Sequence, residues 1–125
     1  MVSAWVDYMN PKSAELLKLL YKNPNDIKTV PYDMKDYIWH DKNVGIWIDM
    51  NEPACFELTD KTMSKTNLHC LAITNDEGNQ ELIQVEHRDV HSLYGYFSSQ
   101  KTFDVLCQRS EERPFILSRS FFPGT

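Results

Sequence analysis

Val44-Gly45-Ile46-Trp47-Ile48-Asp49-Met50-Asn51-Glu52-Pro53 is the stretch on which the reading of this chain turns. An apolar run, Val44 to Ile48, stops at an acid, an amide and a second acid. Such a run, bounded by polar turn residues, predicts a buried strand over 44–49. Side chains alternate along a strand, so Gly45, Trp47 and Asp49 share one face and Ile46 and Ile48 the other. A carboxylate ending a buried strand is costly unless it has partners or a task. An indole beside a carboxylate suits a sugar: the ring stacks on a pyranose and the acid reaches the anomeric carbon.

Upstream, Asn10-Pro11 predicts a helix start, with Asn10 as N-cap and Pro11 at the first helical position. Leu16, Leu19 and Leu20 form its apolar stripe beside Ala14, Leu17 and Tyr21, and Lys18 and Lys22 suit its C-terminal end. Asn23-Pro24-Asn25-Asp26 stops it. Ile27 to His40 shows no clear period. Downstream, Glu52 to Glu86 is long and polar. Leu68–Thr74 and Glu81–Val85 can pair as a hairpin across Asn75-Asp76-Glu77-Gly78-Asn79. Asp89 is expected to cap a second helix reaching about Gln108, with Val90, Leu93, Tyr94 and Phe97 on one stripe. Phe115–Ser118 reads as a second short strand.

The order is helix, strand, long loop, helix, strand. The predicted fold class is therefore α/β, with a β-α-β unit and two parallel strands. Asp49 and Arg119 then both lie at C-terminal strand ends, where a (β/α)8 (TIM) barrel carries its working residues. A whole barrel needs eight strands, so two strands are a partial barrel whose core faces are expected to lack partners.

Four segments in order resemble glycoside hydrolase family 31, the α-glucosidases and their relatives. They are Ser3-Ala4-Trp5-Val6-Asp7-Tyr8-Met9-Asn10-Pro11, Trp47 to Pro53, Glu86 to Tyr96 and Arg113 to Thr125. The last two look most like the branch that trims glucose from N-glycans. The resemblance implies a retaining exo-hydrolysis of terminal α-linked glucose, without metal or organic cofactor. It makes Asp49 the nucleophile, to be held ionised by nearby donors or a cation. It makes Arg119 a sugar-binding fork, with Trp47 and Met50 lining the same subsite. Glu52 and Asn51 are supporting residues. The implied partners are an α-glucoside or glucosylated N-glycan and a non-catalytic subunit, and the implied compartment is the endoplasmic reticulum lumen. The family's second carboxyl lies in a Trp-x-Gly-Asp pattern that these residues do not contain. A retaining enzyme needs both groups, about 5–5.5 Å apart. The expectation is a fragment of the catalytic barrel, 1–125, inactive alone.

The rivals are of other classes. A non-catalytic carbohydrate-binding or interaction module would fold cooperatively by itself. A zinc hydrolase could use His87 and His91, four apart on a helix. The metalloprotease pattern needs Glu straight after the first His, and Arg88 stands there; hydrogen-bonded histidines are the favoured reading. Trp5 and Asp7 could border the cleft or simply pack.

Composition agrees with an ordinary globular chain: 42% hydrophobic and 25% charged over 125 residues. A net charge of −5, with no basic patch, argues against nucleic acid. No apolar run approaches the roughly 20 residues of a membrane span. Met1 to Tyr8 lacks a basic start, and Asp7 interrupts it, so it does not read as a signal peptide. Together with the implied lumenal compartment, this leads to the expectation of a native N-terminus further upstream. Cys55, Cys70 and Cys107 lack C-x-x-C spacing and are expected as small core residues.

Overall fold

The computed structural model describes residues 4–21, 45–109 and 112–125. Its elements are α1 (Ser13–Leu20), β1 (Ile46–Ile48), β2 (Leu68–Thr74), β3 (Gln80–Glu86), α2 (His87–Cys107) and β4 (Ile116–Ser118). The expected positions Lys22, Ile27–His40 and Val44 lie outside the described residues.

β1 and β4 pair in parallel, with Ile46 opposite Ile116, Trp47 opposite Leu117 and Ile48 opposite Ser118. Between them the chain makes the β2–β3 hairpin and then α2, which crosses back. This is the predicted β-α-β unit with a hairpin inserted, an α/β piece of a barrel. The hairpin turns where expected. Asn75 accepts amide bonds from Glu77 and Asn79 through its side chain, and Gly78 takes the left-handed φ of +82°.

The core lies under α2. Met9, Met63, Val90 and Tyr94 are buried there, with Tyr8, Leu71, Val85, Leu93 and Phe97 packed around them. The predicted stripe on α2 is thus the buried one. Tyr94 meets Tyr8 edge-on at 5.5 Å between centroids and donates from its hydroxyl to the Val6 carbonyl at 2.6 Å. Burial raises the phenol pKa of Tyr94 far above its ordinary value.

Four local expectations change. In α1 the buried apolar residue is Leu17, at 2% exposure, while Leu16 is 42% exposed. Asn10 sits before the helix: its side chain accepts from the Lys12 amide, and α1 begins only at Ser13. Asp89 is not the cap of α2, which has Glu86 at that position and Asp89 in its first turn. The first helical amides are met by the 65–67 loop instead, His87 to the Asn67 carbonyl at 2.7 Å and Arg88 to that of Lys65 at 3.1 Å. The cysteines are free thiols and none is a core residue; Cys107 is exposed and the other two are half-buried.

β1 is buried on one face only. Ile46 is 4% exposed, whereas Trp47 is 70% and its partner Leu117 52% exposed. The expected bare core face is therefore the Trp47–Leu117–Phe115 side. No helix among the described residues is long and apolar enough to cross a membrane.

Candidate active site

Parallel register brings the two strand ends together. Asp49 follows Ile48 and Arg119 follows Ser118, and those two residues are partners. By alternation Gly45, Trp47 and Asp49 share a face with Phe115, Leu117 and Arg119. Arg119 Nε stands 3.8 Å from Asp49 Oδ1. Its stronger partner is Glu52: the terminal guanidinium nitrogen Nη2 donates to Oε1, and Nε reaches Oε2 at 3.4 Å. Burial is the largest single influence and raises the Glu52 pKa, but the Arg119 hydrogen bond, a backbone hydrogen bond and the nearby positive charge together outweigh it and hold the carboxyl below its ordinary value. One cation is thus shared by two carboxylates, with Glu52 its nearer partner.

Asn51 has its own task. It is 6% exposed and ties the two strand exits to each other. Its Nδ2 donates to Ser118 Oγ at 2.8 Å and to the Ser120 carbonyl at 3.2 Å, and its Oδ1 accepts from the Ser120 amide at 3.0 Å. Met50 bends the chain between Asp49 and Asn51 with φ at +59°, a left-handed conformation that a Met adopts at a cost of about 1 kcal/mol. A cis peptide joins Glu52 to Pro53. The loop beyond closes on itself, with Thr62 and Met63 both donating to the Pro53 carbonyl.

The segment bearing Arg119 is pressed onto α2. A Cβ added at Gly95 would meet the Ser120 side chain and lie 2.8 Å from its carbonyl oxygen. Only glycine permits that approach. A cavity of about 570 Å³ lies elsewhere, between α2 and β4 and lined in part by Tyr96, Phe103, Arg113 and Ile116. Asp49, Glu52, Trp47, Met50 and Arg119 do not line it.

A second polar group surrounds the start of α2. Asp7 Oδ1 meets His69 Nδ1 at 2.8 Å, and Asp7 Oδ2 accepts from the Cys70 amide at 2.8 Å. His69 Nε2 meets His87 Nδ1 at 2.9 Å, and His87 Nε2 meets His91 Nδ1 at 2.8 Å. His69 and His87 are 2% and 1% exposed. The His87 nitrogen that could chelate with His91 is spent on His91 itself, so the pair is a hydrogen-bonded one. Among the described residues no group of three potential ligands is arranged to hold a metal. Asp7 packs into this network, and Trp5, 40% exposed, stands beside it at the surface. Sequence reasoning singled out His87 and His91 but missed His69, and left Asp7 undecided.

Comparison with known proteins now gives the class. The profile of the glycosyl hydrolases family 31 TIM-barrel domain matches residues 1–125, and the chain belongs to that family. Among curated relatives, the α subunit of glucosidase 2 from Schizosaccharomyces pombe is 36% identical over 125 residues, 98% of this chain and 11% of that protein. Neutral α-glucosidase C of Macaca fascicularis is 35% identical over 99% of this chain and 13% of its own length. A crystal structure of the glucosidase II α subunit bound to a disaccharide, α3-Glc2, superposes with a TM-score of 0.66 and 36% identity, covering 96% of this chain and 11% of that one. A crystal structure of the endoplasmic-reticulum glucosidase II heterodimer, a catalytic subunit with the binding domain of its regulatory subunit, gives 0.64 and 33%, with the same coverage. The chain thus spans 11–13% of the curated relatives' length and is a part of a family 31 α-glucosidase catalytic domain.

Proposed function

We propose that these residues carry the nucleophile half of a retaining α-glucosidase that removes terminal α-linked glucose, of the type that trims N-glycans. Asp49 attacks the anomeric carbon and forms the glycosyl-enzyme. Arg119, aligned by Glu52, hydrogen-bonds sugar hydroxyls and offsets the carboxylate charge. Trp47 and Met50 line the subsite. The observation that carries this reading is the meeting of Asp49 and Arg119, on one face, at the C-terminal ends of a register-matched parallel pair.

Only one of the two required carboxyls is present, so the isolated chain does not turn over glycosides. Hydrolysis of an activated α-glucoside by the purified chain, lost in Asp49→Asn, would refute that. The enclosing enzyme would act on glucosylated N-glycans in the endoplasmic reticulum lumen, beside a non-catalytic subunit.

The role of Asp49 is tested by replacing the matched segment of the S. pombe α subunit with residues 1–125. Asp49→Ala in the chimera is expected to lower kcat by about 10⁴-fold or more, with azide restoring turnover as a glucosyl azide of inverted configuration. Turnover near the parent rate without Asp49 sinks the assignment.

A further inference from the structure

The hydrogen bonds from Asp7 to His91 have a strict proton inventory. The Asp7 carboxylate only accepts, so His69 Nδ1 must carry the proton in their 2.8 Å bond. A neutral His69 then offers a lone pair at Nε2, and His87 Nδ1 must donate across the 2.9 Å contact. The same logic makes His91 Nδ1 the donor to His87 Nε2 at 2.8 Å. All three neutral rings are thereby fixed as Nδ1–H tautomers, and His91 Nε2 is left as the open acceptor.

One added proton keeps every bond. It binds at His91 Nε2; Nδ1–H of His91 passes to His87 Nε2, and Nδ1–H of His87 passes to His69 Nε2. The charge then rests on His69, against Asp7, and both later rings have become Nε2–H. A second proton sets two N–H groups against each other and breaks the chain. The capacity is one. His87 agrees: burial first, then the charges of His91 and His69, push it down to about 4, so the middle ring stays neutral.

The far end reaches the candidate active site. His91 lies one helical turn before Gly95, on the same face. Gly95 touches Ser120, which Asn51 ties to the Glu52 segment. The charge of His91 is also among those acting on Glu52. The titratable groups around the relay are Asp7 from the N-terminal segment, His69 from β2, Tyr94 on α2 with Tyr8 behind it, and, at the His91 end, Glu52 after β1, which Arg119 engages. Arg88 is engaged by Glu86.

We infer that Asp7, His69, His87 and His91 form a one-proton relay, whose proton enters at His91 on the side of the Glu52–Arg119 pair and whose charge comes to rest on His69 against Asp7. The relay stands on its own geometry; its effect on the reaction rests on the reading of Asp49 above.

The test is ¹⁵N-histidine NMR of the 125-residue chain, titrated from pH 8 to pH 5. At the basic end, His69, His87 and His91 should all be Nδ1–H tautomers. On acidification they should take up one proton jointly, with all three rings shifting along one curve. Any Nε2–H tautomer at high pH, or three separate titrations, overturns the relay without need of a variant. Asp7→Asn should weaken proton affinity read at His91 by about tenfold, although Asp7 does not touch His91. Independent groups would leave it unmoved, because screening at that separation is strong. Glu52→Gln should weaken the same affinity about threefold; no change removes the link to Arg119 but leaves the relay. Neither readout needs turnover, so loss of the Asp49 assignment leaves them standing.

Discussion

The start of α2 and the β1–β4 pair differ in how they meet their needs. At α2, His69, His87 and Tyr94 are closed in, Asp7 is half-buried beside them, and each has its partner inside the chain. At the sheet, Trp47, Phe115 and Leu117 lie 70%, 69% and 52% exposed beside a cation shared by two carboxylates. Polar groups were buried and apolar groups left in solvent, the reverse of ordinary packing. A buried polar network survives only when every member is satisfied, which makes the first region self-contained. The second is complete in backbone pairing but not in side-chain cover, as fits a chain spanning 11–13% of its curated relatives.

Breaking the closed region should cost most. His87→Ala strips His69 Nε2 and His91 Nδ1 of their partners and opens a cavity, an expected loss of about 3 kcal/mol in urea unfolding. A loss below 1 kcal/mol would mean that water replaces the ring at no cost, and the contrast would fail. Gly95→Ala comes next, at about 2 kcal/mol, because the added methyl meets backbone at Ser120 and not only a movable side chain. It links the regions. The displaced exit of β4 should loosen the Glu52–Arg119 pair, seen as a shift of the Arg119 Nε resonance. An unshifted resonance would separate helix packing from the site.

Acid should act on the same closed region. An unfolded imidazole titrates near 6.5, and folded His87 near 4. Between those values the unfolded chain binds more protons, so stability is full above about 6.5 and falls as the pH drops through the window. The expected loss, allowing for screening near half-buried His91, is about 2 kcal/mol. Urea midpoints at pH 7 and pH 4.5 measure it. His87→Asn should flatten the dependence, and an equal slope in that variant would assign it elsewhere.

What could be read in advance followed the range of the interaction. The hairpin and the α2 stripe depend on neighbours a few residues away, through Asn75 and Gly78 in one case and helical spacing in the other. That Asp49 and Arg119 both end strands was legible, since both strands were recognisable; that they share a face depends on the register of the pair. The cap of α2 was misjudged because its acceptors are the Lys65 and Asn67 carbonyls, and no side-chain pattern announces a backbone partner. His69 was missed, and Asp7 left undecided, for a similar reason. They stand 62 residues apart, and β2 turns His69 inward while Leu68 is 58% exposed. That inverted polarity is a signal only after the buried face is known. Glu52 was seen as supporting, but its cation lay 67 residues away.

The smallest expected effect bears on Trp47. A tryptophan in an apolar strand is ordinarily core, and truncating a core one costs about 3–5 kcal/mol. Here the ring is 70% exposed, opposite an equally uncovered Leu117. Trp47→Ala in the 125-residue chain should therefore move the urea midpoint by less than about 0.5 kcal/mol. In the chimera the same change should raise KM for an α-glucoside about tenfold, roughly what one lost stacking contact is worth. A loss above 2 kcal/mol in the isolated chain would make Trp47 a packing residue. An unchanged KM would leave it a bare apolar surface without a sugar, and would reduce the open region to Asp49 and the guanidinium beside it.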